Sequence, residues 1–285
     1  MTTGETSLAS ERDSPTTRSD PDADSGRPAA DAGRDFLERA RRTVERERRR
    51  LADERDAFDR FHGRVREITT ETGSAAATGT VAAVSAPTPT GLADVRDAYE
   101  ETVMSVPHFE EDYGETYEES LRGEFGPELA AALTRQRAFD DLCKETLLEA
   151  AAEGASQRKW LLSALADEAE YLDEATGRVA SIRADLSAVA FAERDPATGS
   201  FDALDGARDA LVALDERCDA LAADRQADLR RQERRLALPT DVPDLPRYVY
   251  RPLPVTYPVL STVADLGRRI EARREAVERA IASSP

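Results

Sequence analysis

Lysine, cysteine and histidine are nearly missing from this chain, and each shortage closes a route. Lysine occurs only at Lys144 and Lys159, so 37 of the 39 basic residues are arginine. Two cysteines, Cys143 and Cys218, are too few for a disulfide framework. Cys143 has Phe139 and Leu147 four residues to either side, and Cys218 extends the seven-residue spacing of Leu204 and Leu211. Both therefore read as small buried hydrophobes. Histidine occurs only at His62 and His108. HExxH, CxxC, P-loop, GxGxxG and GxSxG patterns are all absent, which leaves zinc or nucleophilic catalysis few side chains to use. Aromatics make up 6% of residues, so the core must be built from Leu, Val, Ile and Ala. No apolar run reaches the ~20 residues of a membrane span. The most apolar stretch, 74–86, is rich in Ala, Thr and Gly, and Met1 leads into polar residues rather than an apolar leader. The expectation is a soluble, cytoplasmic protein.

What is abundant is acid. Asp and Glu number 57, for a formal net charge of −18 over 285 residues. Acidic excess with arginine in place of lysine resembles the composition of proteins from extreme halophiles. High net charge strains a compact chain by self-repulsion, and molar salt screens that repulsion by shortening the Debye length to about 3 Å. The fold should therefore loosen at low ionic strength. Helical circular dichroism that stays constant from molar KCl into dilute buffer would remove this expectation.

Along the chain, residues 1–34 are Ser, Thr, Asp, Gly and Pro with few large apolar groups, which predicts a disordered tail. Residues 35–282 read as one helical domain. Its first helix, from Asp35 to about Thr69, repeats Leu37, Val44, Leu51, Phe58 and Val65 every seven residues. The accompanying seam, Ala40, Glu47, Glu54, Phe61 and Ile68, is polar in the middle. This is an imperfect coiled-coil pattern. A Gly/Ala/Thr/Pro linker follows at 72–91. Further helices are expected from Thr90 to about Val103, from Glu115 to Arg122, and from Pro127 to about Ala152. Gly154 is read as an interruption. Helices to about Ala190, from Ser200 to about Leu236, and from Val259 to Ile281 complete the set. Six prolines at 237–258 predict an extended strap that also carries Tyr248, Tyr250 and Tyr257.

The most site-like segment is His108 with Glu110, Glu111 and Asp112, where a histidine beside carboxylates could act as a base or help hold a divalent ion. An acidic, solvated helix start explains the same residues, and the prediction is no catalytic residue, no cofactor and no metal. Arginine clusters at 39–50, 230–235 and 268–274 could meet phosphates. The interleaved Glu38, Glu45, Glu47 and Glu54 and the net acidity favour Glu–Arg pairing within helices instead.

Two phrases, Tyr117-Glu-Glu-Ser-Leu-Arg-Gly-Glu-Phe-Gly-Pro-Glu-Leu-Ala and Val255-Thr-Tyr-Pro-Val-Leu-Ser-Thr-Val-Ala, resemble a haloarchaeal all-helical family that is a domain of unknown function. The resemblance implies a halophilic archaeal source and a helical fold over residues 35–282, and carries no activity with it. The sequence thus predicts an all-α multi-helix bundle with long coiled-coil-like helices and a Pro/Tyr-rich strap before the last one. Its expected role is non-enzymatic: a protein-interaction or scaffold module meeting a partner protein or a second copy through helix faces, with Leu37, Val44, Leu51, Phe58 and Val65 as the interacting stripe. The competing expectation is a metal- or small-molecule-binding protein centred on His108. Nucleic-acid and membrane partners are disfavoured.

Overall fold

The structure, a computed structural model, describes residues 29–71, 90–136, 138–189, 201–235 and 244–283. The described residues form helices only: α1 (Ala29–Glu67), α2 (Thr90–Glu100), α3 (Phe109–Asp112), α4 (Tyr117–Arg135), α5 (Asp141–Val189), α6 (Phe201–Arg235), α7 (Leu245–Val249) and α8 (Pro258–Ser283). No described helix is long and apolar enough to cross a membrane.

Two long helices make the spine. α5 has 49 residues, about 73 Å at 1.5 Å per residue, and α1 lies along it in the opposite direction. Pairs that fix this register are Arg41 with Asp173 at 3.3 Å, Glu54 with Arg158 at 2.8 Å, and Thr70 with Asp141 at 2.5 Å. Two separate cores use this spine. The first half of α1 and the second half of α5 join α6 and α8 in an antiparallel four-helix bundle. Its core includes Leu37, Val44, Leu51, Leu165, Leu172, Val179, Leu186, Leu211, Cys218 and Ile270. The second half of α1 and the first half of α5 instead pack against α2 and α4, around Phe58, Phe61, Val65, Tyr99, Leu121, Phe139 and Leu147. Because α1 and α5 run through both cores, neither core can lose its helices without disturbing the other.

Several boundaries differ from the sequence reading. α1 begins at Ala29, inside the expected tail, where Ala-rich sequence favours helix; residues 1–28 lie outside the described set. Of the expected linker, 72–89 lies outside it too, and Thr90 and Gly91 already belong to α2. The expected helix 127–152 is cut at 136–140. There the Glu71 N–H donates to the Phe139 carbonyl at 2.8 Å, Phe139 is buried, and the Asp140 carboxylate accepts the Cys143 N–H at 2.8 Å as a cap that restarts the chain as α5. Upstream, Thr116 and Glu119 form a capping box. α4 then continues through a kink at Gly126, whose φ of 80° suits glycine.

Gly154 does not interrupt α5. It is buried, and a Cβ there would lie 2.7 Å from Phe58 Cε1. The missing side chain is what lets the Phe58 ring of α1 sit against α5. That ring is fully buried and has the Arg158 guanidinium 4.2 Å above it, so it cannot withdraw. Gly154→Ala should therefore destabilise by about 1–3 kcal/mol although alanine is the better helix former. Gly177, on the same helix, has nothing within 4 Å of its would-be Cβ. Gly177→Ala should stabilise by about 1 kcal/mol. Urea midpoints of the two variants, moving in opposite directions, check the pair.

The strap is corrected as well. Residues 237–243 are outside the described set, and the rest is not extended. Asp244 accepts the Arg247 N–H at 2.8 Å, and Pro246 occupies the first turn of α7, where its missing N–H costs nothing. Only 250–257 remains irregular before Pro258 opens α8.

Lys144 lies where a cation is favoured, at the C-terminal end of α1: its Nζ donates to the Arg66 carbonyl at 2.9 Å and to the Ile68 carbonyl at 2.7 Å. Both cysteines are buried free thiols. Burial, with Asp215 and Asp219 nearby, pushes the Cys218 thiol up to about 11, and burial pushes the Tyr117 phenol up to about 12. In the unfolded chain these groups ionise near 9.0 and 10.0. Their folded pKa values are raised, so their contribution is complete below pH 9 and is lost as pH climbs through 11 and 12. The melting temperature should fall steadily over that window, and Cys218→Ala should flatten its lower part.

Candidate functional site

Polar groups capable of chemistry collect at two buried places, and at both the side chains are bonded to one another. The first lies at the waist between the two cores. Glu54 of α1 is buried, and its carboxylate is shared by three side chains. Its Oε1 meets His108 Nε2 at 3.0 Å and accepts the Tyr113 hydroxyl at 3.0 Å, and its Oε2 accepts Arg158 Nε at 2.8 Å. Arg158 also donates to Glu124 at 2.7 Å and to the Gly154 carbonyl at 3.3 Å. One heptad earlier, Glu47 accepts the Tyr248 hydroxyl from α7. Burial and the adjoining Glu54 carboxylate raise the Tyr113 phenol, and burial with the Glu47 hydrogen bond raises that of Tyr248, so both remain donors at neutral pH.

This explains the polar centre of the second α1 seam. Ala40 and Phe61 lie in apolar cores, whereas Glu47 faces the short helix α7, which supplies a phenol, and Glu54 faces the segment around α3, which supplies a phenol and an imidazole, as well as Arg158 of α5.

The second cluster sits inside the four-helix core. Glu168 of α5 is 0% exposed and Arg225 of α6 is 1% exposed. Arg225 Nη1 and Nη2 donate to the two Glu168 oxygens at 2.9 and 2.6 Å, a bidentate pair, and Nη1 also reaches Asp228 at 3.0 Å. Gln232 donates to Glu168 at 3.0 Å, and the Tyr250 hydroxyl, beyond α7, donates to the same carboxylate. The guanidinium lies 4.7 Å over the Tyr171 ring. Burial weighs against the Arg225 charge, but Glu168, Tyr250 and Asp228 outweigh it and raise its pKa. Burial beside Glu168 raises the Tyr250 phenol well above its ordinary value.

Sequence reasoning missed these residues, although a signal existed. Arg225 is the next seven-residue step after Leu204, Leu211 and Cys218, and Glu168 lies seven before Ala175. A charge at a core position of a heptad register marks a buried pair.

The expected site residues are not brought together. His108 turns inward to Glu54, away from its sequence neighbours. Asp112 and Glu111 pair with Arg50 of α1 at 3.0 and 3.5 Å, and Glu110 is exposed. Among the described residues no three His, Cys, Asp or Glu side chains converge as a metal-ligand set. The stripe Leu37, Val44, Leu51, Phe58 and Val65 is buried inside the chain: the first three residues lie in the four-helix core and the last two in the second core. Its partners are helices of the same molecule, so it is not open to another protein.

A two-core helical bundle on a shared pair of long helices, braced by buried arginine–glutamate clusters, is the class that this fold defines. Residues 35–274 match the family model of a domain of unknown function, DUF7260, and the chain belongs to that family. No curated protein and no solved structure matches it.

Proposed function

We propose that this protein is a non-enzymatic interaction or scaffold module, working in the cytoplasm of a salt-accumulating archaeon, whose rigid α1–α5 spine presents outward side chains at fixed spacing. The observation that carries the reading is on α5. Leu142 is 73% exposed and Trp160 39% exposed, while the buried Glu54 and Glu168 carboxylates are engaged by His108, Arg158 and Arg225. Leu142 and Trp160 are separated by 18 residues, five full turns, so they stand on one face about 27 Å apart. Large apolar side chains held out on a rigid helix favour contact with another surface, and aromatic anchors dominate such contacts. The acidic exterior and arginine-for-lysine usage support the high-salt setting.

The test is affinity capture by the full chain from an extract of its own cell, with mass spectrometry of what is retained. A stoichiometric protein is expected with the wild type and is expected to be lost with a Leu142→Ala/Trp160→Ala double variant that melts normally. Retention unchanged by that double variant would reject this face as the contact.

A further inference from the structure

The ridge between Leu142 and Trp160 is acidic. Positions 142, 145, 149, 153, 156 and 160 are all exposed and follow helical spacing, and three of them are Glu145, Glu149 and Glu153. Glu153 accepts a hydrogen bond from Gln157 at 3.1 Å, whereas Glu145 and Glu149 have neither an ion pair nor a side-chain hydrogen bond among the described residues. On α1 the reverse holds. Arg42, Arg46 and Arg49 share an outward face at spacings of four and three; Arg42 pairs with Glu38 at 3.4 Å, and Arg46 and Arg49 are exposed and have no ion pair among the described residues. The chain therefore displays an unpaired carboxylate pair flanked by apolar anchors on one long helix, and an unpaired arginine pair on the other. Within the fold these same groups seek each other: Arg158 and Arg225 each join a glutamate and lie over an aromatic ring. Arg96 lies 4.7 Å over Tyr117 in the same manner.

We propose that the α5 ridge of one copy receives the α1 arginine face of a second copy, Arg46 and Arg49 meeting Glu145 and Glu149 while Trp160 provides a ring for an arginine stem. This rests on the interaction reading above and names the partner as another copy of this chain. In this proposed dimer a two-fold axis relates the copies, so that the α5-to-α1 contact is made twice. Exposed ion pairs contribute little individually and fade with salt. Arginine stems lying on Leu142 and Trp160 therefore supply the salt-tolerant share, and the charges set which faces meet.

Sedimentation velocity on the full chain over a concentration series tests this. The wild type should pass from monomer to dimer as concentration rises. The double variants R46E/R49E and E145R/E149R should each weaken the dimer about tenfold or more, without a change in melting temperature, because all four positions are exposed. The two variants mixed together should dimerise again, since in one contact the two charge-reversed faces meet each other and in the other the two unaltered faces do. A wild type that stays monomeric, charge-reversed variants that dimerise like wild type, or a mixture that fails to recover would each overturn the second-copy assignment. A monomeric chain that still captures another protein through Leu142 and Trp160 would overturn this inference and leave the interaction reading standing. A monomer that captures nothing through those residues would remove both.

Discussion

Arg225→Ala should cost about 3–5 kcal/mol, because it leaves Glu168, with no solvent exposure, as an unpaired charge in the middle of the four-helix core. Domains of ordinary stability hold about 5–15 kcal/mol, so this single change should remove much of the margin, and the protein should melt far below wild type. The partner donors do not rescue the site. Gln232 and Tyr250 each give Glu168 one hydrogen bond, but neither carries charge. A double variant separates loss of the pair from loss of a partner. With Arg225→Met and Glu168→Met together no charge is left stranded, and most of the lost stability should return. If the double variant is as unstable as Arg225→Ala, the pair contributes net stability beyond mutual compensation. Denaturant midpoints of wild type, both singles and the double close that cycle.

The second large effect is at the waist. Glu54→Ala removes one acceptor from three donors at once, His108, Tyr113 and Arg158, of which His108 and Arg158 lie where water replaces it poorly. Arg158 keeps Glu124 and the Gly154 carbonyl, so the loss should be smaller than for Arg225→Ala, about 2–4 kcal/mol. It should also be local in its dynamics. The segment from 101 to 116 is held to α1 through that carboxylate and through the Arg50 pairs with Glu111 and Asp112. Amide exchange at Phe109 and Tyr113 should accelerate more than exchange in the α6–α8 half. Equal acceleration throughout would show that Glu54 braces the whole spine rather than this connection. In either variant a single unfolding transition is expected, because α1 and α5 belong to both cores.

Both predictions concern charges placed in heptad core positions, and this is where reading the chain as a pattern of apolar residues failed. Glu47 and Glu54 could be seen as a polar gap in a seam, but the gap did not say what would fill it. The answer comes from Tyr113 and Tyr248, 59 and 201 residues away from their glutamate partners. Arg225 and Glu168 stand in register with leucines, yet nothing local marks them as buried, because many arginines here pair within a helix, as Arg122 does with Glu118 and Arg41 with Glu45. His108 drew attention for its acidic neighbours in sequence. In the fold it answers to a carboxylate 54 residues upstream, and its neighbours answer to Arg50.

The sequence alone determined that the chain is helical and that its long helices carry apolar seams. Seven-residue spacing such as Leu204, Leu211 and Cys218, or Val263, Ile270 and Val277, is a local property of one helix and survives whatever packs against it. The tertiary structure alone decided where helices break and where charge is buried. Gly154 continues α5 because a ring from α1 needs its empty side, and α4 and α5 are separate helices because Phe139 is buried and bonded to Glu71 while Asp140 caps the start of α5. It likewise turned the expected interaction stripe of α1 inward, since a long apolar seam buries itself against the nearest helices, and here those helices are in the same chain. What it left outside is the acidic α5 ridge with its two apolar ends, a feature visible only once the opposite face of α5 is known to be buried.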